Sequence, residues 1–464
     1  MITSTLLGAP GCKIPRLSEP TVVPHRSELV KHLTWRLRMS RILPTLQFNQ
    51  SLFGLAVIAA AMMLAANAHA GTEKVLYSFT GGSDGYFSTT GVAMDSAGNI
   101  YGTTNFGGNA GIGTIYELTP SGGSYSYNQI HSFSNAQGNG FANSSLLLDS
   151  SGNLYGVAES GGAQNSGTIF ELSPNGGSWS MTVLYTFRGG ADGSVPEANL
   201  VMDAAGNLYG VTALGGDTTL CGGTGCGTVF ELIHSGSGWT KQEIYRFKGG
   251  AGGSTPEGGL VFDASGNLYG TTAEQGVIST LRCPSGCGTV FKLSPPATGH
   301  VWTATILHRF NGVDGSTPVS AVVLDAAGNL YVATNGGGDL RCGTGLGCGT
   351  VVELSPAGSK WTSQVLHTFA GTKDGATPSS GLILDASGNV YGAVYSGGTH
   401  GWGQIFELSQ GANGWTKTEL YGFSNGADGA DPGGPLVRDA TGNIFGHTYA
   451  GGQFGVGAVF EVTP

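Results

Sequence analysis

The sequence predicts an all-β fold: a seven-bladed β-propeller of four-stranded blades, closed by an N-terminal strand that completes the last blade. Three observations lead there. The segment D-x-x-G-N-[LIV]-[YF] occurs seven times, at Asp95, Asp149, Asp203, Asp263, Asp325, Asp385 and Asp439, spaced 54 to 62 residues apart. Each copy is embedded in the same four short strand signals: an apolar run into the Asp turn, L-Y-G-x-T after it, G-T-[VI]-F-E-L, and [LI]-[YH]-x-F. The last unit stops at Pro464 without its fourth signal, and a spare one stands at the front as Val75-Leu76-Tyr77-Ser78-Phe79, inside a predicted closing strand over 73–79.

Each element has a local reason. In D-x-x-G-N the Asp can accept from turn amides, the Gly supplies a positive φ and the Asn tolerates a left-handed backbone, which makes a hairpin between the first two strands. A calcium reading of the repeated Asp fails on ligand number, because each copy offers one carboxylate where a hard cation wants six to eight oxygens. The Tyr after the turn has the bulk that blade-to-blade packing needs. The Glu of G-T-x-F-E-L, replaced by Lys292 in unit four, is expected to bond turn amides or a neighbouring blade. Between units, F-x-G-G-x-D-G-x-x-P reads as a tight connection; Asp84, Asp192, Asp314, Asp374 and Asp428 match its Asp, whereas Gly138 and Gly252 do not. This connection and the loop between the second and third strands should share one face, where binding residues usually reside.

Glycine contributes 83 of 464 residues and charged residues only 11%, which excludes coiled coils and long surface helices. Residues 52–66 are apolar, follow Arg36, Arg38 and Arg41, and precede Ala68-His69-Ala70, the pattern of a secretory signal cleaved after Ala70. The expected organisation is a non-structural extension over 1–38 with Met39 as the true start, a signal peptide over 39–70, and the propeller over 71–464. The apolar stretch is short for a membrane span, so no span is expected after cleavage. Without residues 1–70, thirteen Lys and Arg face twenty-eight Asp and Glu, a balance that repels nucleic acid. The chain is thus expected to be secreted or periplasmic, and monomeric.

Six cysteines fall as close pairs, Cys221 with Cys226, Cys283 with Cys287 and Cys342 with Cys348, in the three units longer than 54 residues. In an oxidising compartment these read as three local disulfides that pin enlarged loops. A zinc site is disfavoured, since the pairs lie on different blades and no His follows at ligand spacing.

The D-x-x-G-N-[LIV]-Y-G units with G-T-[VI]-F-E-L resemble the GloVer tandem-repeat family of secreted bacterial choice-of-anchor proteins, over residues 73–464; the short Asp motif is also similar to NHL propeller repeats. The resemblance implies an exported repeat protein without an assigned activity. No anchor segment follows the last strand, which favours a freely secreted or periplasmic form.

Residues that break the symmetry are the functional candidates. His400 and Trp402 stand in the unit-six loop where equivalents are small, and the next connection carries Asp428 and, uniquely, Asp431. An aromatic plate, an imidazole and two carboxylates would suit a sugar or a calcium ion. No catalytic residue, metal centre or cofactor is otherwise expected. Arg438 and His447 are further irregularities, while His131, His308 and His367 replace a packed Tyr. The leading expectation is a binding module for a glycan, an envelope component or a protein partner. A propeller lyase or lactone hydrolase would need His and acids converging at the channel mouth, and a purely structural surface protein would show neither these nor an aromatic patch.

Overall fold

The computed structural model describes residues 71–134, 144–236, 238–279, 282–298, 302–342 and 345–464. The signal peptide, its cleavage site, the 1–38 extension and Gly138 lie outside the described residues. Seven four-stranded antiparallel sheets follow one another along the chain. In the first blade the strands are Ala93–Met94, Ile100–Thr104, Thr114–Ser121 and Ser124–Ser132, hydrogen-bonded in that order. The seventh blade is built from Ala430–Arg438, Ile444–Ala450 and Ala458–Thr463, and the N-terminal strand Thr72–Ser78 pairs with the last of these as its fourth strand. Closure by the N-terminus therefore follows the sequence expectation. It leaves the propeller without an open gap between its first and last blades, the usual solution to unpaired edges.

The repeat motifs act as a packing code. In six blades the Gly of L-Y-G lies under the aromatic of F-E-L: a Cβ on Gly156 would meet the Phe170 ring at 2.5 Å, and one on Gly210 would meet Phe230 at 2.6 Å. The fifth blade swaps both partners, with Val332 in place of the Gly and Val352 in place of the Phe, each fully buried. Total volume is conserved, which cores tolerate best. The Phe ending each [LI]-[YH]-x-F strand is sealed from solvent, and in six cases it meets the F-E-L aromatic of the next blade edge-on or tilted, as in Phe187 and Phe230 at 5.4 Å and Phe423 and Phe460 at 5.1 Å; Phe310 faces the blade that carries Val352. These contacts tie consecutive blades together.

The Asp turns spend both carboxylate oxygens locally. Asp203 Oδ1 accepts from the amides of Ala205 and Asn207, and Oδ2 accepts from Asn207 Nδ2 and the Tyr209 hydroxyl. The repeated Tyr is thus both core and turn clamp. The repeated Glu departs from expectation, because it bonds within its own blade: Tyr209 Oη donates to Glu231 at 2.7 Å, and Ser173 Oγ donates to Glu171 at 2.8 Å. Lys292 makes a different contact at that place, lying over the Tyr269 ring at 5.5 Å.

Candidate functional site at the channel mouth

The connections between blades and the loops between second and third strands do meet on one face. Tyr86 of one bridges to Phe106 of the other, and the Gly108 amide donates to Gly82 O. Three disulfides link Cys221 to Cys226, Cys283 to Cys287 and Cys342 to Cys348 in these loops, with Cα separations of 5.3, 5.1 and 5.4 Å. They fit an oxidising extracellular or periplasmic setting. No helix among the described residues is long and apolar enough to cross a membrane.

From this face the blades send their first strands down the central channel, and among the described residues six of them enter through a residue with positive φ: Phe87, Val195, Thr255, Thr317, Thr377 and Asp431. Its amide donates to a carbonyl in the loop of the preceding blade, as Val195 does to Ser166 O at 3.2 Å and Asp431 to Trp402 O at 2.9 Å. β-Branched residues are strained in that conformation and Asp tolerates it. Asp431 is therefore less strained in this conformation than its β-branched equivalents.

Asp431 lines a cavity of about 160 Å³ together with Ser88, Thr89, Ser379, Tyr395, Gly433, Gly434 and Tyr449. Burial holds the Asp431 carboxyl above the usual carboxylate range. The Tyr395 hydroxyl is likewise pushed up by burial, then by the neighbouring Asp431 and Tyr449. Tyr449 stacks on Phe87 with ring centroids 4.6 Å apart, and Phe87 also packs edge-on to Tyr86 and Phe106. The result is an aromatic patch from blades six, seven and one, with a carboxylate in its midst.

A second cavity of about 190 Å³ runs along the channel and takes wall residues from all seven blades, among them Thr89, Ser145, Glu197, Asn199, Glu257, Ser320 and Ser379. Burial, with Glu257 and Glu159 nearby, pushes Glu197 up to about 8; burial, with Glu274 and Glu159, pushes Glu257 up to about 7. Both carboxyls therefore hold their protons to higher pH than an exposed glutamate does. No group of three His, Cys, Asp or Glu among the described residues is arranged to hold a metal.

The residues singled out from sequence divide into two pairs. Trp402 is 43% exposed on the loop face and its carbonyl receives the Asp431 amide, so these two are adjacent. His400 points away, with Nδ1 3.0 Å from Gly422 O on the outer strand. Asp428 is occupied by its own turn, accepting from Tyr421 Oη, the Ser424 amide and hydroxyl, and the Gly426 amide. Its equivalents Asp84 and Asp192 do the same, the latter for Tyr185 and the Arg188 amide. His308 and His367 play the Tyr role, bonding Asp314 and Asp374. His447 is fully buried, and burial drops it to about 4 against a smaller opposing effect of the Ser88 backbone.

Tyr395, Tyr449, Glu197 and Glu257 carry no motif of their own. A signal does exist in the repeat: the residue after L-Y-G-x-T reads Asn105, Glu159, Ala213, Ala273, Asn335, Tyr395 and Tyr449 along the seven units. The adjacent aromatics and the lone acid stand out only when the copies are aligned on the channel axis.

Comparison with solved structures finds similar folds at low identity. A protein of unknown function from Dyadobacter fermentans is 12% identical over 84% of this chain and 96% of its own, with a TM-score of 0.41. A candidate 6-phosphogluconolactonase from Bacteroides uniformis is 15% identical over 77% and 88%, with a TM-score of 0.48. A candidate oxidoreductase (glucose dehydrogenase) from Thermus thermophilus is 16% identical over 68% and 95%, with a TM-score of 0.40. Comparison with curated proteins finds no match. The repeat itself matches the Gloeobacter/Verrucomicrobia repeat over residues 62–221, 216–345 and 281–464, and with its seven blades in register the chain belongs to that family.

Proposed function

We propose that this is an exported binding propeller that recognises a glycan at the loop-face mouth of its channel. The observation that carries the reading is the cavity in which Tyr395 and Tyr449 flank Asp431 beside the hydroxyls of Ser88, Thr89 and Ser379. Aromatic faces stack on the apolar face of a sugar ring, and carboxylates and hydroxyls satisfy its hydroxyl groups. Trp402, next along the rim, extends the platform toward a second sugar unit. The leader over 39–70 and the three disulfides support export. An enzyme reading would have to use the channel carboxylates Glu197 and Glu257 as its acid and base, because the imidazole of His447 is sealed.

The test is a thermal-shift screen of residues 71–464 against oligosaccharide fragments, comparing the parent with Tyr449→Ala and Asp431→Asn. A ligand at 100 times its Kd stabilises by about 2.7 kcal/mol. A sugar-dependent rise that both variants abolish supports the reading; a rise that survives both, or that Asp428→Asn alone removes, refutes it.

A further inference from the structure

The aromatic cavity and the channel cavity share Thr89, Ser379 and Gly434 as common walls, so one ligand can touch both. The two halves differ in chemistry. Blades six, seven and one supply rings; blades three and four supply Glu197 and Glu257, with Glu159 and Glu274 close enough to act on them electrostatically. Glu197 and Glu257 occupy one repeat position, six residues before the Asp turn, where blades one, five, six and seven carry Thr89, Val319, Ser379 and Gly433. Placing acids there in adjacent blades concentrates them on one side of the axis. No Lys or Arg among the described residues lines either cavity.

An acid cluster alone would be only a repulsive surface. A separate sign of a ligand comes from Ser320, a channel-wall residue that is 6% exposed and whose Oγ has no hydrogen-bond partner. Its equivalents Ser144 and Ser380 turn inward and accept from the amides of Val157 and Ala393 at 3.0 and 2.7 Å. The Ser379 hydroxyl, also on the channel wall, is unpartnered too. Two unpartnered hydroxyls that can accept a hydrogen bond, beside two carboxylates, suit a donor-rich cation. A bare divalent metal fits poorly, because it wants six to eight oxygens and, among the described residues, no three acid, His or Cys groups are arranged around a point. An alkylammonium needs only three acceptors, and aromatic faces favour it further.

We propose that the ligand is a cationic glycan, an oligomer of amino sugars with free amino groups, and this rests on the glycan reading above. One sugar ring stacks between Tyr395 and Tyr449 with its ammonium toward Asp431. The next ammonium enters the channel, donates to Ser320 Oγ and sits against Glu197 and Glu257. Acetylation would remove the charge and add bulk at the narrowest point. The net charge left after loss of residues 1–70, thirteen bases against twenty-eight acids, steers such a ligand inward.

The experiment is calorimetric titration of the mature chain at pH 7 and low salt with three probes: glucosamine tetramer, its fully N-acetylated counterpart, and spermidine. Each is repeated on Glu197→Gln/Glu257→Gln, whose folding is checked by its melting curve, and on Tyr449→Ala. The expected result is at least tenfold tighter binding of the amino form, a preference lost in the double Gln variant, and weaker binding of both sugars in Tyr449→Ala. Equal affinity for both tetramers would overturn the cationic inference while sustaining the glycan reading. Glutamate-dependent binding of spermidine without either sugar would sustain the cation site and overturn the glycan reading. Silence from all three would overturn both.

Discussion

Replacing Glu197 by Gln should stabilise the propeller, and only at high pH. The carboxyl is raised from 4.5 to about 8 by burial and by Glu257 and Glu159. A folded pKa above the unfolded one means that the group's contribution is fully present below pH 4.5 and is lost as pH rises through 8. At about 1.4 kcal/mol per unit the ceiling is about 5 kcal/mol, and sharing among the acids and channel water reduces this to about 2 kcal/mol. Gln keeps the neutral shape and does not titrate. The gap between variant and parent should therefore be near zero at pH 5 and grow to about 2 kcal/mol at pH 9. With unfolding entropy near 2.1 cal/mol/K per residue, a chain of this length would show a Tm difference of about 2 to 3 °C. Scanning calorimetry at pH 5, 7 and 9 reads it directly. A Tm difference that does not change with pH, or a variant less stable than the parent at pH 9, would show that the channel acids are not held above their normal range.

Three other outcomes are expected. Phe187→Ala removes a sealed ring that meets Phe230 of the next blade and should cost about 3 to 5 kcal/mol in denaturant unfolding; a loss under 1 kcal/mol would contradict its role between blades. Val352→Phe should be destabilising, by about 1 to 3 kcal/mol, because Val332 fills the space that a Gly leaves elsewhere; adding Val332→Gly should recover most of it, as a double-mutant cycle can measure. The intact mass of the mature chain should be six hydrogens below the reduced value for the three bridges, and alkylation of thiols in the native protein would contradict the pairing.

The blade order, the closing strand and the turn chemistry were legible because each is written seven times, and repetition separates a structural need from chance. Asp203 and its copies show why: one Asp, one Asn and one Tyr satisfy one another wherever the turn recurs. The compensating Val332 and Val352 were invisible for the opposite reason, since their meaning lies in a contact between strands that pair across a loop. The channel site was half legible. Asp431 and Trp402 broke the pattern and are adjacent, whereas His400 and Asp428 broke or fitted it for local reasons, one bonding an outer strand and the other closing its turn. Tyr395 and Tyr449 lie in units six and seven, far in sequence from Glu197 and Glu257 in units three and four. Only the ring closure brings them to one axis, so no local motif could announce them.

The same closure explains why an asymmetric site can sit in a symmetric ring. Strand pairing and the Phe contacts use residues facing between sheets, so the channel-facing positions are free to vary without disturbing them. Variation there concentrated rings on one side and acids on the other.

The most direct measurement is a crystal structure of residues 71–464 soaked with the glucosamine tetramer. Density stacked on Tyr395 and Tyr449, with one amino group directed at Glu197 and Glu257, is the predicted result. A tetramer bound at the outer rim beside His400, or on the opposite face among the Asp turns, would contradict the account.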